Sequence, residues 1–264
     1  FGGDVGKLLQ PASAMEVFHN FTLLHDDVMD NADVRRGRPT VHKKWNENAA
    51  ILSGDSMLVL AYQRMLEVKN DRLKEVLDIF TTTALEIGEG QQYDLEFESR
   101  MDVKEEEYIE MIRLKTSVLL ACALKIGALL ANVPKEDCDK LYDFGINMGL
   151  AFQLQDDYLD VYGDFKTFGK AIGGDILCDK KTFMLINAIN KADGFDFGKQ
   201  YETPQEKISA VTNLYNELGI DKLAQEKIEY YFNLARKNLN EVSLPMEVKQ
   251  PLYDYLDEML KREK

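Results

Sequence analysis

The amino-acid sequence predicts an all-α protein, and two features of its composition support this prediction. Only six of its 264 residues are proline, and the helix-favouring residues Leu, Ala, Glu and Lys are abundant. Stretches in which polar and apolar residues alternate, as they do in β-strands, are few. With 45% hydrophobic residues, the chain can also bury a substantial core. We therefore expect a single large helical bundle.

The candidate helices follow one another along the whole chain. They cover residues 11–30, 47–68, 71–98, 105–131, 136–163, 180–191, 205–218, 221–240 and 247–262. The main connections, which are polar or contain Gly or Pro, are residues 31–40, 164–174 and 192–203. None of them resembles a domain linker, so we expect one domain over residues 1–264.

Composition excludes several classes of partner and location. A formal charge of −14 argues against nucleic acid, because binding its phosphates requires clustered Lys and Arg. Cys122, Cys138 and Cys178 are widely spaced and match no zinc pattern, which favours a reducing cytoplasm over a disulfide framework. The sequence shows neither a membrane-spanning apolar run nor a signal peptide, so we expect a cytoplasmic protein without an integral membrane segment.

One acidic motif occurs twice, about 130 residues apart. Residues 23–30 read LLHDDVMD and residues 153–160 read QLQDDYLD, so each copy places aspartates at positions i, i+1 and i+4. At about 100° per residue, the three side chains fit on one helix face. Both copies stand at the end of an apolar run, where a helix C-terminus disfavours negative charge. Local stability therefore does not explain the motif.

A bound cation would explain both copies. Carboxylates this close raise one another's pKa, and a cation would hold several of them ionised together. Oxygen ligands without His or Cys in a metal spacing suit Mg²⁺, which usually takes one or two carboxylates together with phosphate and water. Either motif alone could be a solvated acidic helix end. Two copies facing each other across a bundle could instead hold a diphosphate through Mg²⁺.

At this point the residues resemble the trans-isoprenyl diphosphate synthases, also called polyprenyl synthetases. DDVMDNADVRRGRPT at 26–40 is similar to the family's first aspartate-rich region, and FQLQDDYLD at 152–160 is similar to the second. FGKAIGGDI at 168–176 and DKKT at 179–182 resemble the lysine-bearing loop that follows. The resemblance covers nearly the whole chain. It implies an isoprenoid synthase bundle with a central cavity, of the short-chain type that makes farnesyl or geranylgeranyl diphosphate.

The resemblance also implies roles for individual residues. Mg²⁺, about three ions per active site, would be bound by Asp26, Asp30, Asp156 and Asp160, with Asp27 and Asp157 in support. The allylic diphosphate would be held by Arg35, Lys115, Thr116, Gln153, Lys170 and Lys180. Isopentenyl diphosphate would be held by His19 and Arg36. Among these, the residues expected to act in the reaction are Asp26, Asp27, Asp30, Arg35, Lys115, Asp156, Asp157 and Lys170.

The family carries a Gly-Gly-Lys-x-x-Arg-Pro segment before the position that matches Phe1, and this segment supplies a Lys and an Arg to the isopentenyl diphosphate site. We expect residues 1–264 to lack the family's N-terminal helices. The resemblance further implies a homodimer. The apolar residues 118–131 could form its interface or equally a monomer core.

The expected reaction is Mg²⁺-assisted ionisation of the allylic diphosphate, followed by attack of the isopentenyl double bond on the resulting cation. Residues 31–40 and 164–174 are candidate lids that would exclude water. In the family, a large aromatic residue five positions before the first aspartate tends to form a floor under the growing chain. Phe21 has this position, which favours products of fifteen or twenty carbons. Thr22 lies more directly beneath Asp26 on an ideal helix, and Phe18 could form a second barrier.

Four other interpretations remain open. A class I terpene cyclase would share the first motif, but its second motif normally mixes Asn, Ser or Thr with Glu; a head-to-head condensing enzyme is disfavoured for a similar reason. A catalytically silent partner subunit of a heteromeric synthase usually loses aspartates, whereas this chain keeps all six. A helical bundle that only buffers divalent cations would not need Arg35, Arg36, Lys170 or Lys180.

Overall fold

The computed structural model describes residues 1–68, 71–163, 172–192 and 195–261. These residues form two compact units, one of residues 1–79 and 126–133 and the other of residues 80–125 and 134–264. The helices are α1 (Val5–Met29), α2 (Val41–Lys44), α3 (Glu47–Leu66), α4 (Leu73–Ser99), α5 (Glu105–Ile112), α6 (Val118–Leu130), α7 (Lys135–Tyr162), α8 (Gly174–Leu177), α9 (Phe183–Lys191), α10 (Pro204–Glu217), α11 (Ile220–Glu241) and α12 (Met246–Leu260). The prediction of an all-α protein is confirmed.

The first unit is built on the packing of α1 against α3. Asp4 caps the start of α1, where its side chain accepts a hydrogen bond from the Gly6 backbone N–H at 2.9 Å. Asn46 caps α3 in the same way through the backbone N–H of Ala49. Apolar side chains of both helices are buried, among them those of Phe18 on α1, which is 1% exposed, and Ala61 on α3. This packing holds the C-terminal end of α1, where the first aspartate motif lies.

A short hairpin connects α1 to α2, within the predicted loop 31–40. Strands β1 (Val34–Arg35) and β2 (Arg38–Pro39) pair antiparallel. The two residues between them, Arg36 and Gly37, have φ values of 51° and 74°. Positive φ at both central positions defines the type I′ turn that two-residue hairpins favour. The sequence prediction missed this hairpin because two-residue strands carry no readable alternation.

The second unit is organised around α7, which packs along α11 and also contacts α5 and α8. Its core includes Leu141, Phe144 and Phe232, each no more than 2% exposed. Thr182 and Thr203 cap α9 and α10 through backbone N–H groups in their first turns. The second aspartate motif lies in the last turns of α7.

Most predicted helix boundaries lie within two residues of the observed ones. Three predictions were wrong. Helix α1 begins at Val5 rather than at residue 11 and continues through Pro11, and the predicted helix 180–191 begins at Phe183. The predicted helix 105–131 is interrupted by a π-helical turn, Arg113–Ser117. Among the described residues, no helix is both long and apolar enough to cross a membrane.

Candidate active site

The first aspartate motif occupies the last turn of α1. Asp27 is buried and 3% exposed, Asp26 is half-buried, and Asp30, which caps the helix end, is exposed. The backbone N–H of Asp30 donates to the Asp26 carbonyl at 2.9 Å, which closes the last helical turn. The three carboxylates therefore occupy three different environments, although the spacing predicted a single acidic face.

Arg35 explains why Asp27 is turned inward. From strand β1, its Nε donates to Oδ1 of Asp27 at 2.7 Å, and its Nη2 lies 3.4 Å from Oδ2 of Asp26. A planar guanidinium can contact two carboxylates at once, which an ammonium group cannot do with the same geometry. The structure thus places Arg35 in contact with two aspartates of the first motif, Asp26 and Asp27.

The hairpin is tied to the end of α1 by backbone hydrogen bonds. The N–H of Ala32 donates to the Asp27 carbonyl at 3.0 Å, and the N–H of Thr40 donates to the Asp33 carbonyl at 3.1 Å. The Thr40 hydroxyl adds a bond to the Ala32 carbonyl at 2.7 Å. Arg36 lies exposed at the tip of this anchored hairpin, in a left-handed conformation that is uncommon outside glycine. Its position relative to the motif is therefore set by the turn.

An aromatic cluster lies below the first motif on α1. The ring centroids of Phe18 and Phe21 are 5.5 Å apart, and those of Phe21 and His25 are 4.9 Å apart, both in edge-to-face geometry. Thr22 is half-buried, and its hydroxyl donates back to the His19 carbonyl at 2.8 Å. Phe21 is therefore held between a core phenylalanine and His25, while the side chain of His19 is half-buried.

Asp157, the central aspartate of the second motif, is 3% exposed and bonded through both oxygens. Its Oδ2 accepts a hydrogen bond from the hydroxyl of Tyr108, on α5. Its Oδ1 accepts from Nε2 of Gln153, one turn earlier on α7, at 3.2 Å. Burial raises the pKa of Asp157 to about 7, against the opposing attraction of Lys180.

Asp160 also lies inside the protein, at 8% exposure. Its Oδ2 accepts the backbone N–H of Asp175, at the start of α8, at 2.9 Å. Burial raises the pKa of Asp160, and the negative charge of Asp175 adds to this rise. Asp156 is half-buried. The second motif, like the first, thus contains one central aspartate committed to protein contacts.

Lys115 and Thr116 lie in the π-helical turn. The N–H of Val118 donates to the Arg113 carbonyl, which is the five-residue spacing of a π-turn. Nζ of Lys115 contacts Oδ2 of Asp94, on α4, at 2.6 Å. The Thr116 hydroxyl donates to Oε1 of Gln153 at 3.4 Å. The turn thus places two predicted diphosphate ligands beside a third, Gln153.

Two glycines make room for this turn. A Cβ atom at Gly90 would lie 2.4 Å from the backbone nitrogen of Lys115, and one at Gly149 would lie 2.6 Å from Cα of Ser117. Both distances are too short for any side chain, so α4 and α7 approach the turn through bare backbone. The turn is therefore confined on both of these sides.

The lysines after the second motif are described only in part. Nζ of Lys180 lies 3.8 Å from Oδ1 of Asp175, and its side chain is 43% exposed. Lys170, predicted to hold the allylic diphosphate, lies outside the described residues, as does most of the predicted lid 164–174.

Comparison with known proteins identifies the family. The family model described as polyprenyl synthetase matches residues 2–218, which is most of the chain. The chain belongs to the polyprenyl synthetase family. The resemblance drawn from its two aspartate motifs is confirmed.

Similar proteins agree with membership of the polyprenyl synthetases. A geranylgeranyl diphosphate synthase of Methanosarcina mazei is 40% identical over 271 residues, which cover 99% of this chain and 81% of the relative. A solved geranylgeranyl pyrophosphate synthase is 45% identical with a TM-score of 0.91, covering 98% of this chain and 82% of that structure. A solved geranylgeranyl pyrophosphate synthetase from Pyrococcus horikoshii Ot3 is 33% identical with a TM-score of 0.93, covering 99% and 82%. The predicted isoprenoid synthase fold is confirmed.

As a polyprenyl synthetase of this kind, the chain is a trans-prenyltransferase. This finding favours prenyl-chain elongation over the class I terpene cyclase considered from the sequence.

The donor atoms of both motifs suit a hard divalent cation. Within the part of the chain that the structure describes, no group of three or more His, Cys, Asp or Glu side chains is arranged to hold a metal on protein ligands alone. Mg²⁺ does not require such a group, because it commonly takes one or two carboxylates and fills its other positions with water and phosphate oxygens. The half-buried carboxylates of Asp26 and Asp156 are donors of this kind.

Sequence reasoning missed three contributors to the site. Tyr108 contacts the second motif from a point 49 residues earlier, and no local pattern reports such a contact. Asp175 donates its backbone N–H to Asp160, and a backbone contact of this kind cannot be predicted from the residue type. Asp94 contacts Lys115 from a point 21 residues earlier, and only the fold brings the two side chains together.

Proposed function

We propose that this polyprenyl synthetase is a Mg²⁺-dependent enzyme that joins isopentenyl diphosphate to an allylic diphosphate and releases a trans-prenyl diphosphate of fifteen to twenty carbons. The observation that carries the proposal is that both aspartate motifs are complete in a chain of this family. Each motif also has cationic side chains in its own unit: Arg35 contacts the first motif, and Lys180 lies near the second.

The proposed metal donors are the outer aspartates of each motif. Asp26 and Asp30 would bind Mg²⁺ from the first motif, and Asp156 and Asp160 from the second. Bound Mg²⁺ would neutralise charge on the departing diphosphate. Asp27 and Asp157 would have supporting roles, which agrees with their burial and their contacts to Arg35 and Tyr108.

Cationic and polar side chains would hold the two substrates. The proposed ligands of the allylic diphosphate are Arg35, Lys115, Thr116, Gln153, Lys170 and Lys180, and those of isopentenyl diphosphate are His19 and Arg36. Arg offers a planar fork to phosphate oxygens and Lys a mobile point charge, so these groups would stabilise the negative charge that develops as the allylic bond breaks. No protein nucleophile is needed, because the isopentenyl double bond attacks the allylic carbon. Loss of one proton to the released diphosphate completes the step.

The product length is supported by two observations. Both a close relative and a close structural neighbour are named for geranylgeranyl diphosphate, a twenty-carbon product. Phe21, five residues before Asp26, packs edge-to-face on Phe18 and His25, and it is our proposed floor for the growing chain.

Product analysis tests the proposal. The protein is incubated with Mg²⁺, labelled isopentenyl diphosphate and dimethylallyl, geranyl or farnesyl diphosphate in turn, and the dephosphorylated alcohols are sized. We expect products that stop at fifteen or twenty carbons, and no product when a chelator removes the metal. Asp26→Asn should remove most activity, whereas Asp254→Asn, which changes an exposed aspartate on α12, should not.

A catalytically silent partner subunit is the remaining alternative. It predicts no elongation by this chain alone and restored activity when a second synthase chain is added. Elongation by the chain alone, at a rate that depends on Mg²⁺, would exclude it.

A further inference from the structure

Tyr108 lies fully inside the second unit, yet it carries a polar group there. Its side chain is 1% exposed, and its hydroxyl donates to Oδ2 of Asp157. Phenylalanine would fill nearly the same volume without a buried hydroxyl that needs a partner. Core packing alone therefore does not explain a tyrosine at this position.

Asp157 also forms a hydrogen bond with Gln153. With Oδ2 bonded to Tyr108, the other oxygen of Asp157, Oδ1, accepts from Nε2 of Gln153 at 3.2 Å. Because Oδ1 is the acceptor of this bond, the NH₂ side of the Gln153 amide faces Asp157. The carboxylate of Asp157 thus decides which way the amide faces.

The orientation of the Gln153 amide in turn determines which of its atoms faces the Thr116 hydroxyl. With Nε2 directed at Asp157, Oε1 is available to accept the Thr116 hydroxyl, at 3.4 Å. The second N–H of Gln153 and the lone pairs of the Thr116 oxygen then remain as polar groups for a ligand. A reversed amide would present a carbonyl oxygen, which repels phosphate, in place of that N–H.

We infer that Tyr108 is a positioning residue of the diphosphate site, which acts through Asp157 to hold Gln153 and Thr116 in the orientation that binds the allylic diphosphate. This inference rests on the proposed function, in which Gln153 and Thr116 contact that substrate. It also assigns Asp157 a bridging role, since both of its oxygens are bonded to side chains.

Tyr108→Phe removes only the hydroxyl and tests the inference directly. We expect KM for the allylic diphosphate to rise about tenfold, which is the usual scale for losing one hydrogen bond to a charged group. KM for isopentenyl diphosphate should change less than about twofold, because none of the three linked residues is proposed to contact it. Tyr253→Phe is the matched control, since Tyr253 is 5% exposed and its hydroxyl bonds to Asn240.

A second variant removes the acceptor and keeps a side chain of similar size. In Asp157→Leu, no oxygen is offered to Tyr108 or to Gln153, so the Gln153 amide is no longer held in one orientation. We expect the same selective rise in KM for the allylic diphosphate, even if Tyr108→Phe folds poorly. In a Gln153→Ala background, Tyr108→Phe should add less than about twofold, because the path from Tyr108 to the substrate is already broken.

Three results would overturn the inference. They are an unchanged KM for the allylic diphosphate in both variants, an equal rise in KM for both substrates, and effects of Tyr108→Phe and Gln153→Ala that multiply independently. Calorimetry can also measure the affinity of the wild type and the variants for inorganic diphosphate with Mg²⁺, which gives the same comparison without turnover. If the wild-type chain binds diphosphate and shows the Tyr108 effect but elongates no substrate, the proposed function fails and the positioning role stands.

Discussion

A Cβ atom placed on Gly54 would lie 2.2 Å from Nε2 of His25, so a side chain at this point of α3 requires the imidazole on α1 to move. The same nitrogen lies 3.1 Å from the Ile51 carbonyl, and the ring packs edge-to-face on Phe21. Gly54→Ala should therefore displace His25 and lower the free energy of unfolding by about 1–3 kcal/mol, as overpacking usually does. Chemical denaturation measures the change.

Gly88→Ala provides the control for this prediction. Gly88 is an exposed helical glycine of α4 with no atom within 4 Å of an added Cβ, and alanine there should stabilise the protein by about 0.5–1 kcal/mol. Equal effects of the two substitutions would contradict the close approach at His25.

Phe21→Ala should lengthen the product. Removing the ring opens space below the first motif, so we expect products longer by at least one five-carbon unit from the same allylic substrate. Sizing the dephosphorylated alcohols measures the shift. Phe232→Leu, a change in the core of the other unit, should leave the distribution unaltered. A distribution unaltered by Phe21→Ala would show that Phe21 serves only packing.

Arg35→Lys should lower kcat/KM for the allylic diphosphate about 10- to 100-fold. A single ammonium cannot reproduce the contacts that the guanidinium makes with Asp26 and Asp27, and a lost bond to a charged group costs about 1.5–3 kcal/mol. Arg38→Lys, at the exposed position paired with Arg35 in the hairpin, should change kcat/KM less than about twofold. Similar losses in both variants would point to the hairpin rather than to the contact with the motif.

Asp137→Ala should destabilise the protein without affecting catalysis. Asp137 is 2% exposed in the first turn of α7 and accepts bonds from the backbone N–H and the hydroxyl of Ser243. Its loss removes both of these bonds to a charged acceptor, which costs about 1.5–3 kcal/mol at pH 7. Glu136→Ala, which removes an exposed charge from the same turn, should change stability by less than about 0.5 kcal/mol.

The contribution of Asp137 should also depend on pH. Burial opposes ionisation, but the donors of Ser243 and the positive charge of Lys140 together outweigh it and lower the pKa of Asp137. A carboxyl with a lowered folded-state pKa stabilises the protein above its unfolded pKa of about 3.9, and this stabilisation is lost as the pH falls through the folded value. The difference in unfolding free energy between wild type and Asp137→Ala should shrink from pH 7 to pH 3. A constant difference would contradict the hydrogen-bonded, ionised state of Asp137.

Local sequence patterns predicted the long helices well because helix propensity and apolar periodicity act over neighbouring residues. They failed where the structure depends on distant contacts or on very short elements. The π-helical turn at Lys115 is one example, because it depends on close approach by Gly90 and Gly149. The hairpin at Arg36 is another, because its strands are two residues long.

The two aspartate motifs could be predicted from spacing alone, but the different burial and contacts of their aspartates could not. Asp27 and Asp157 are the equivalent second aspartates, and both are buried. Asp27 contacts Arg35, in the hairpin that follows α1, whereas Asp157 contacts Tyr108, 49 residues earlier in the chain. The roles of the individual site residues, the single domain, the homodimer and the cytoplasmic location stay predictions.

The bare backbone on either side of the π-helical turn has a consequence for sequence variation. In a library that randomises α4 or α7, variants with another residue at Gly90 or Gly149 should be inactive, although neither glycine has a side chain that could reach a ligand. Exposed positions of the same helices, such as Gly88, would accept many residues. Away from the proposed site residues Gln153, Asp156, Asp157 and Asp160, tolerance to mutation in these helices should therefore follow distance from the turn backbone.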